Sequence, residues 1–198
     1  MTETRLDKAF WNERYRMGDT GWDTGSASPA ITEFVKEYIP KEARILIPGA
    51  GNAWEAEALF REGYTNSTVL DISEAPLRNL QERLPDFPRG NLVCADFFSH
   101  KGAYDLVLEQ TFFCALEPRL RADYARKMHE LLVAGGLLAG LWFAVEFERE
   151  GPPFGGSLEE YRHCFEPWFT CEEAAISQKS IKPRAGRELF MRWRRKIR

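Results

Sequence analysis

Short apolar runs alternate with stretches of helical spacing through the middle of the chain. RILIPGAGN reads as a strand over 44–48 running into a glycine turn; STVLD (67–71), NLVCAD (91–96) and YDLVLEQT (104–111) read as the next three strands. Between the first two, Asn52 is placed to cap a helix, with Glu55 three positions on, and Ala56, Leu59 and Phe60 face the sheet. Ser73 then caps a helix whose Leu77, Leu80 and Leu84 share one face. PRLRADYARKMHELL puts a proline in a first turn and spaces Leu120, Tyr124, Met128 and Leu131 helically; VAGG ends that helix and GLLAGLWF supplies a fifth strand.

This rhythm predicts an α/β fold, a doubly wound sheet covered by helices on both faces. After it the pattern changes: GPPFGG is a loop, SLEEYRHCF a short helix, and FTCEEAAIS and RELFMRWRRK two closing strands. The expectation is a mostly parallel, seven-stranded sheet with a terminal antiparallel pair. No linker is visible, so 1–198 reads as one domain, with 1–40 as a covering segment and 41–198 as the core.

Composition narrows the function classes. A net charge of −3 exerts no general pull toward nucleic acid or an anionic membrane. The last twelve residues do hold six Arg or Lys, but they alternate with Leu189, Met191, Trp193 and Ile197, which predicts an amphipathic strand with a solvated basic face. The four cysteines form no CxxC pair, the three histidines are scattered, and no run reaches membrane-spanning length. These features point to a reduced, cytoplasmic protein without a metal, a membrane or a nucleic-acid partner, with a monomer as the simplest state.

The candidate chemistry lies at strand ends, where open parallel sheets bind ligands. Gly49 and Gly51 let the chain turn tightly, and Asp71, 20 residues after Gly51, is placed to accept hydrogen bonds from ribose hydroxyls. The third glycine of a dinucleotide-binding turn is replaced by Trp54, which suits a cofactor without a pyrophosphate, such as S-adenosylmethionine (SAM). Asp96 and Phe97 then suit an adenine. Upstream, FWNERYRMGDTGWDTG sets Trp11, Tyr15 and Trp22 around a polar loop; aromatic faces attract a sulfonium, although Trp11 and Tyr15 at i and i+4 equally suit the buried face of a short helix.

With W…GDTGWDTGSASP, ILIPGAG, LDIS, ADFF, YDLVLEQTFFCALEP, RADYARKMHELLVAGG, GPPF and GRELFMRW in this order, the chain resembles the thiopurine methyltransferase family. It is most similar to the branch containing plant halide and thiol (thiocyanate) methyltransferases. The resemblance implies a Rossmann-like class I SAM-dependent methyltransferase whose aromatic loop closes over SAM. It places Trp11, Tyr15, Trp22, Gly49, Gly51, Asp71, Ile72, Asp96, Phe97, Glu109 and Gln110 at the cofactor. Tyr15 stands where plant relatives usually carry Trp. Glu109-Gln110 departs from the Asp-Arg of the thiopurine branch and the Asp-Tyr of the plant branch. Ala50 and Asn52 depart from the family turn as well.

Phe112, Phe113, Trp142 and Phe154 are candidate walls for a small-molecule acceptor. No catalytic side chain is assigned, because a soft nucleophile such as a thiolate, bisulfide, thiocyanate, halide or thiopurine attacks a sulfonium with little need of a base. An O- or N-methyltransferase would need one, and Glu109, Tyr15 and His163 are the candidates. His129 reads as a surface residue and Cys114 as an apolar filler. A SAM-binding module without chemistry and an RNA methyltransferase using the basic strand stay as competing readings.

Overall fold

The computed structural model describes residues 5–148 and 151–197; Met1 to Thr4 of the covering segment and Arg198 of the basic tail lie outside them. Seven strands form one sheet in the order β3-β2-β1-β4-β5-β7-β6. They are β1 (Ile45–Pro48), β2 (Ser67–Asp71), β3 (Leu92–Cys94), β4 (Tyr104–Gln110), β5 (Leu132–Phe143), β6 (Phe169–Ile176) and β7 (Glu188–Arg195). β1 to β5 run parallel to their neighbours, and β7 lies antiparallel between β5 and β6. Strand order reverses between β1 and β4, which opens a crevice at their carboxyl ends.

The pleat sorts the core into two layers. Ile45, Ile47, Leu106, Leu108 and Leu141 face one side, under α2 (Pro29–Tyr38), α3 (Trp54–Arg61) and α4 (Glu74–Arg83). Leu46, Val107, Leu138 and Trp142 face the other, under α5 (Arg121–Leu131) and α6 (Leu158–Phe165). Each residue points opposite to its neighbour, as a two-residue repeat requires.

Several sequence expectations change in detail. Pro118 opens a separate 3-10 turn, Pro118–Leu120, and α5 begins only at Arg121. VAGG is not a loop: β5 starts at Leu132, and the ladder slips between Tyr104 and Leu106, with Gly135 at φ +72° absorbing the irregularity. α2, which follows Ser28-Pro29 and buries Ile31, Phe34 and Val35, was not anticipated. The basic strand is interior to the sheet in strand order and amphipathic as expected, with Leu189, Met191 and Trp193 buried and Arg194 exposed on the opposite face. Arg192 pairs with Glu172 (3.1 Å) and lies over Tyr38, while Arg194 pairs with Glu172 and donates to the Gly135 carbonyl (2.7 Å). Ile197 falls out of the apolar alternation and is 81% exposed. His129, read as a surface residue, is buried on α5 against Trp168 and Phe169. Among the described residues no helix is long and apolar enough to cross a membrane.

Candidate active site

A cavity of about 720 Å³ lies over the carboxyl ends of β1, β2 and β4. Its floor is the turn after β1, where Gly49, Gly51 and Ala53 all take φ +54°. At Gly49 a Cβ would stand 2.1 Å from the Phe112 ring, so the ring and the missing side chain require each other. The expected Asn52 cap does not form. Ala53, left-handed, is the N-cap of α3, and Asn52 turns outward to donate to Asp23 and accept from Asn79 (2.8 Å). Glu55 is buried instead of closing a capping box, and accepts from the Ser28 N–H at 2.9 Å.

Asp71 ends β2 on the cavity wall. One oxygen accepts from the Gly51 N–H (3.1 Å), the other from the Ser73 N–H (2.8 Å). Each carboxylate oxygen keeps a further lone pair for a ligand hydroxyl. Burial pushes this carboxyl up to about 6, against the backbone amides of Ser73, Gly51 and Ile72. Ile72 lines the wall beside it. Asp96 is exposed into the cavity and caps the following turn through the Phe98 N–H (3.0 Å); Phe97 is buried with its ring 5.1 Å from that of Phe112.

The aromatic loop forms the roof. Asp7 caps α1 (Lys8–Arg16) by accepting from the Ala9 and Phe10 N–H groups (3.0 and 3.1 Å). No residue of α1 is buried, so Trp11 and Tyr15 are not a core face; both are half-buried and line the cavity. Trp22 stands edge-on to each, at 5.4 and 5.6 Å. A Cβ at Gly51 would lie 3.6 Å from the Tyr15 hydroxyl and 3.7 Å from the Trp22 indole nitrogen. Burial and the Asp71 charge hold the Tyr15 hydroxyl well above the usual phenol range.

Polar pins hold this loop. Asp23 accepts from the Trp54 indole (2.6 Å) and from the Gly25 N–H (2.9 Å), and Arg184 donates to the Trp22 carbonyl at 2.9 Å. Trp54, which the sequence offers only as a misfit for a dinucleotide turn, is thus an anchor for the roof.

The end of β4 differs from expectation. Glu109 and Gln110 are not on the cavity wall. Glu109 is 1% exposed and turned inward, accepting from the Phe112 and Phe113 N–H groups (3.0 and 2.9 Å) and the Tyr124 hydroxyl (2.6 Å). Burial pushes its carboxyl up to about 7. Gln110 is half-buried, with no partner for its side-chain oxygen among the described residues. The wall is made by the next two residues, Thr111 and Phe112, and Thr111 takes φ +60°. A β-branched residue in that region costs of order 1–3 kcal/mol and persists only where its surroundings dictate it.

Of the four acceptor-wall candidates, only Phe112 lines the cavity. Phe113 and Trp142 pack in the α5/α6 layer, because the pleat points Trp142 away. Phe154 is off the wall, where its N–H donates to the Cys114 carbonyl at 2.7 Å. In their place stand Phe143, Phe147, Pro152, Pro153, Cys114, Arg184 and Arg187. Phe143 ends β5, a position that strand order alone would have flagged; Phe147 and Arg187 sit in irregular segments and Arg184 in a short 3-10 turn, Lys182–Arg184, and none carries a sequence signal. Arg184 lies over Phe143 and pairs with Glu188 (3.3 Å), and Arg187 lies over Phe147. The Cys114 thiol is pushed up by burial and donates to the Thr111 carbonyl. His163 is exposed on α6, and no histidine lines the cavity among the described residues.

These residues fit SAM. An acid with free lone pairs meets the ribose position, a carboxylate beside a ring meets the adenine position, and three aromatic residues face the glycine turn. A cavity of this size holds such a ligand with room for a small acceptor. Fold and site together define a class I SAM-dependent methyltransferase. The structure superposes on the 1,6-didemethyltoxoflavin-N1-methyltransferase of Burkholderia thailandensis with a TM-score of 0.75, over 96% of this chain and 87% of that one, at 20% identity; this likeness concerns the fold. The family model for thiopurine S-methyltransferase matches residues 6–194, and the chain belongs to that family. It is 30% identical to a probable thiol methyltransferase 2 of Arabidopsis thaliana, over 93% of this chain and 84% of the relative. It is 27% identical to the thiopurine S-methyltransferase of Vibrio vulnificus, over 80% and 81%.

Proposed function

We propose that the protein methylates a small soft nucleophile, of the class thiolate, bisulfide, thiocyanate, halide or thiopurine. When bound, SAM supplies a methyl group on a sulfonium, and in-line attack by an anion leaves a neutral thioether and a methylated acceptor. One observation carries the reading: the acceptor end of the cavity offers no group ready to take a proton. Among the described residues lining the cavity, Tyr15 and Cys114 are held protonated. The carboxylates are engaged: Asp7, Asp71 and Asp96 accept from backbone amides, Asp19 pairs with Arg14 and Glu117 with Arg119, while Arg184 and Arg187 add guanidinium groups. Such an end favours an acceptor that arrives already anionic.

The segment before Pro29 acts as the cofactor cover, and α2 with the rest of the chain as the core of one domain. Trp11, Tyr15 and Trp22 face the sulfonium and exclude water; Asp71 holds the ribose, Gly51 and Ile72 flank it, and Asp96 with Phe97 takes the adenine. Pairing of the β7 arginines with β6 glutamates argues against a nucleic-acid partner. A cytoplasmic monomer completes the proposal.

The test is methyl transfer from labelled SAM to bisulfide, an aromatic thiol, a thiopurine, thiocyanate and iodide, with a phenol and an amine as controls. Turnover confined to the soft nucleophiles is expected. Turnover of the phenol or amine alone, or of nothing while SAM binds, would sink the assignment.

A further inference from the structure

We propose that Glu109 is a positioning residue that sets the shape of the cofactor cavity from behind its wall. It touches nothing in the cavity. Its Oε1 gathers the N–H groups of two consecutive residues, Phe112 and Phe113, at 3.0 and 2.9 Å, and its Oε2 takes the Tyr124 hydroxyl at 2.6 Å. Two successive amides can converge on one oxygen just beyond a strand only if the chain turns sharply there. The turn falls on Thr111, at φ +60°, a conformation that Thr does not adopt by preference. The consequence is the placement of Phe112. Its ring lies on Gly49, where even a Cβ would be 2.1 Å away, and 5.1 Å from the Phe97 ring. Phe112 thereby joins the glycine turn to the adenine side, while Thr111 and Cys114 continue the wall. Glu109 acts on the cofactor through this chain of contacts, and its role is geometric. A glutamine can keep both amide bonds through its oxygen and donate to Tyr124, whose hydroxyl then accepts.

The experiment titrates S-adenosylhomocysteine (SAH) into folded variants well below their unfolding temperature, alongside kcat and KM on the best acceptor. Glu109→Gln is expected to stay within about twofold of the parent in SAH affinity, and Glu109→Ala to lose about tenfold or more. Adding Thr111→Gly to Glu109→Ala should recover most of that loss, because glycine takes the left-handed conformation unaided. Where the alanine variant does not fold, Glu109→Asp replaces it, since withdrawing the carboxylate by one methylene breaks the same amide bonds. Unchanged SAH affinity in Glu109→Ala or Glu109→Asp would overturn the proposal. So would a glutamine variant as weak as the alanine one, or a failure of Thr111→Gly to restore binding. SAH binding needs no acceptor, so an error in the proposed acceptor class would show in turnover and leave this titration intact.

Discussion

Two groups of aromatic rings sit on either side of the cavity wall with nearly equal spacings. At the roof, Trp22 stands 5.4 and 5.6 Å from Trp11 and Tyr15; behind the wall, Phe113 stands 5.0 and 5.5 Å from Tyr124 and Tyr161, and Phe165 5.3 Å from Trp193. The inner rings are closed off from solvent and belong to one apolar layer. The roof rings are half-buried and keep a face on the cavity. Their loop is held by a few polar bonds, from Trp54 and Asn52 to Asp23 and from Arg184 to the Trp22 carbonyl. Ring contacts alone therefore do not mark a site. What separates the groups is how each is held: by burial in one case, by a few directional bonds in the other.

The sharpest way to break this contrast is one substitution on each side. Phe165→Ala should cost about 3–5 kcal/mol of stability, read as a lowered Tm, with SAH affinity unchanged at low temperature. At the cavity, Asp71→Ala removes the proposed ribose acceptor and should weaken SAM and SAH alike by about 1.5–3 kcal/mol, the range for hydrogen bonds to a charged group. A large Tm loss without a large affinity loss would place Asp71 with the core instead. Trp22→Leu should weaken SAM by about 0.5–2 kcal/mol more than SAH, since only SAM carries the cation; equal weakening would reduce the roof to packing. Trp54→Phe, which removes one of the two side-chain pins on Asp23, should cost both ligands about 0.5–1.5 kcal/mol equally.

Acidity sharpens the contrast from another direction. Asp71 is raised to about 6 in the ligand-free protein, above its unfolded value. Its protonated form is therefore favoured by folding, and the stability it contributes is full in acid and lost as pH rises through about 6. Ligand hydroxyls favour the carboxylate, so SAH affinity should fall by up to about tenfold per pH unit below that point. Calorimetry from pH 7 to 5 checks this, and Asp71→Asn should flatten the profile.

How far this molecule could be read in advance follows from where each signal lives. The sheet, its antiparallel end and the strand-end positions Gly49, Asp71 and Asp96 were legible because apolar alternation and turn residues act locally. Asn52 misled because a capping preference is also a local rule, and here a longer-range bond to Asp23 overrides it. Glu109, a lone acid at a strand end, reads from the sequence as a cofactor contact or equally as a structural hydrogen-bond acceptor, and the structure shows the second, its carboxylate facing backward behind the left-handed Thr111. Trp142 and Phe143 show the limit most simply. They are neighbours of the same chemical type, and one step of the pleat puts the first in the core and the second in the cavity.

The bond from Arg184 to the Trp22 carbonyl spans 162 positions of sequence. A chain growing from its amino end makes the roof long before the residue that pins the Trp22 carbonyl. A nascent polypeptide can therefore arrange the glycine turn, its acid and the Asp23 pins early, yet cannot add the Arg184 bond until the connection between β6 and β7 has been synthesised. Full closure of the roof in this sense waits on a distant part of the chain, and truncations that spare every cavity residue before Arg184 would still leave Trp22 without its carbonyl pin.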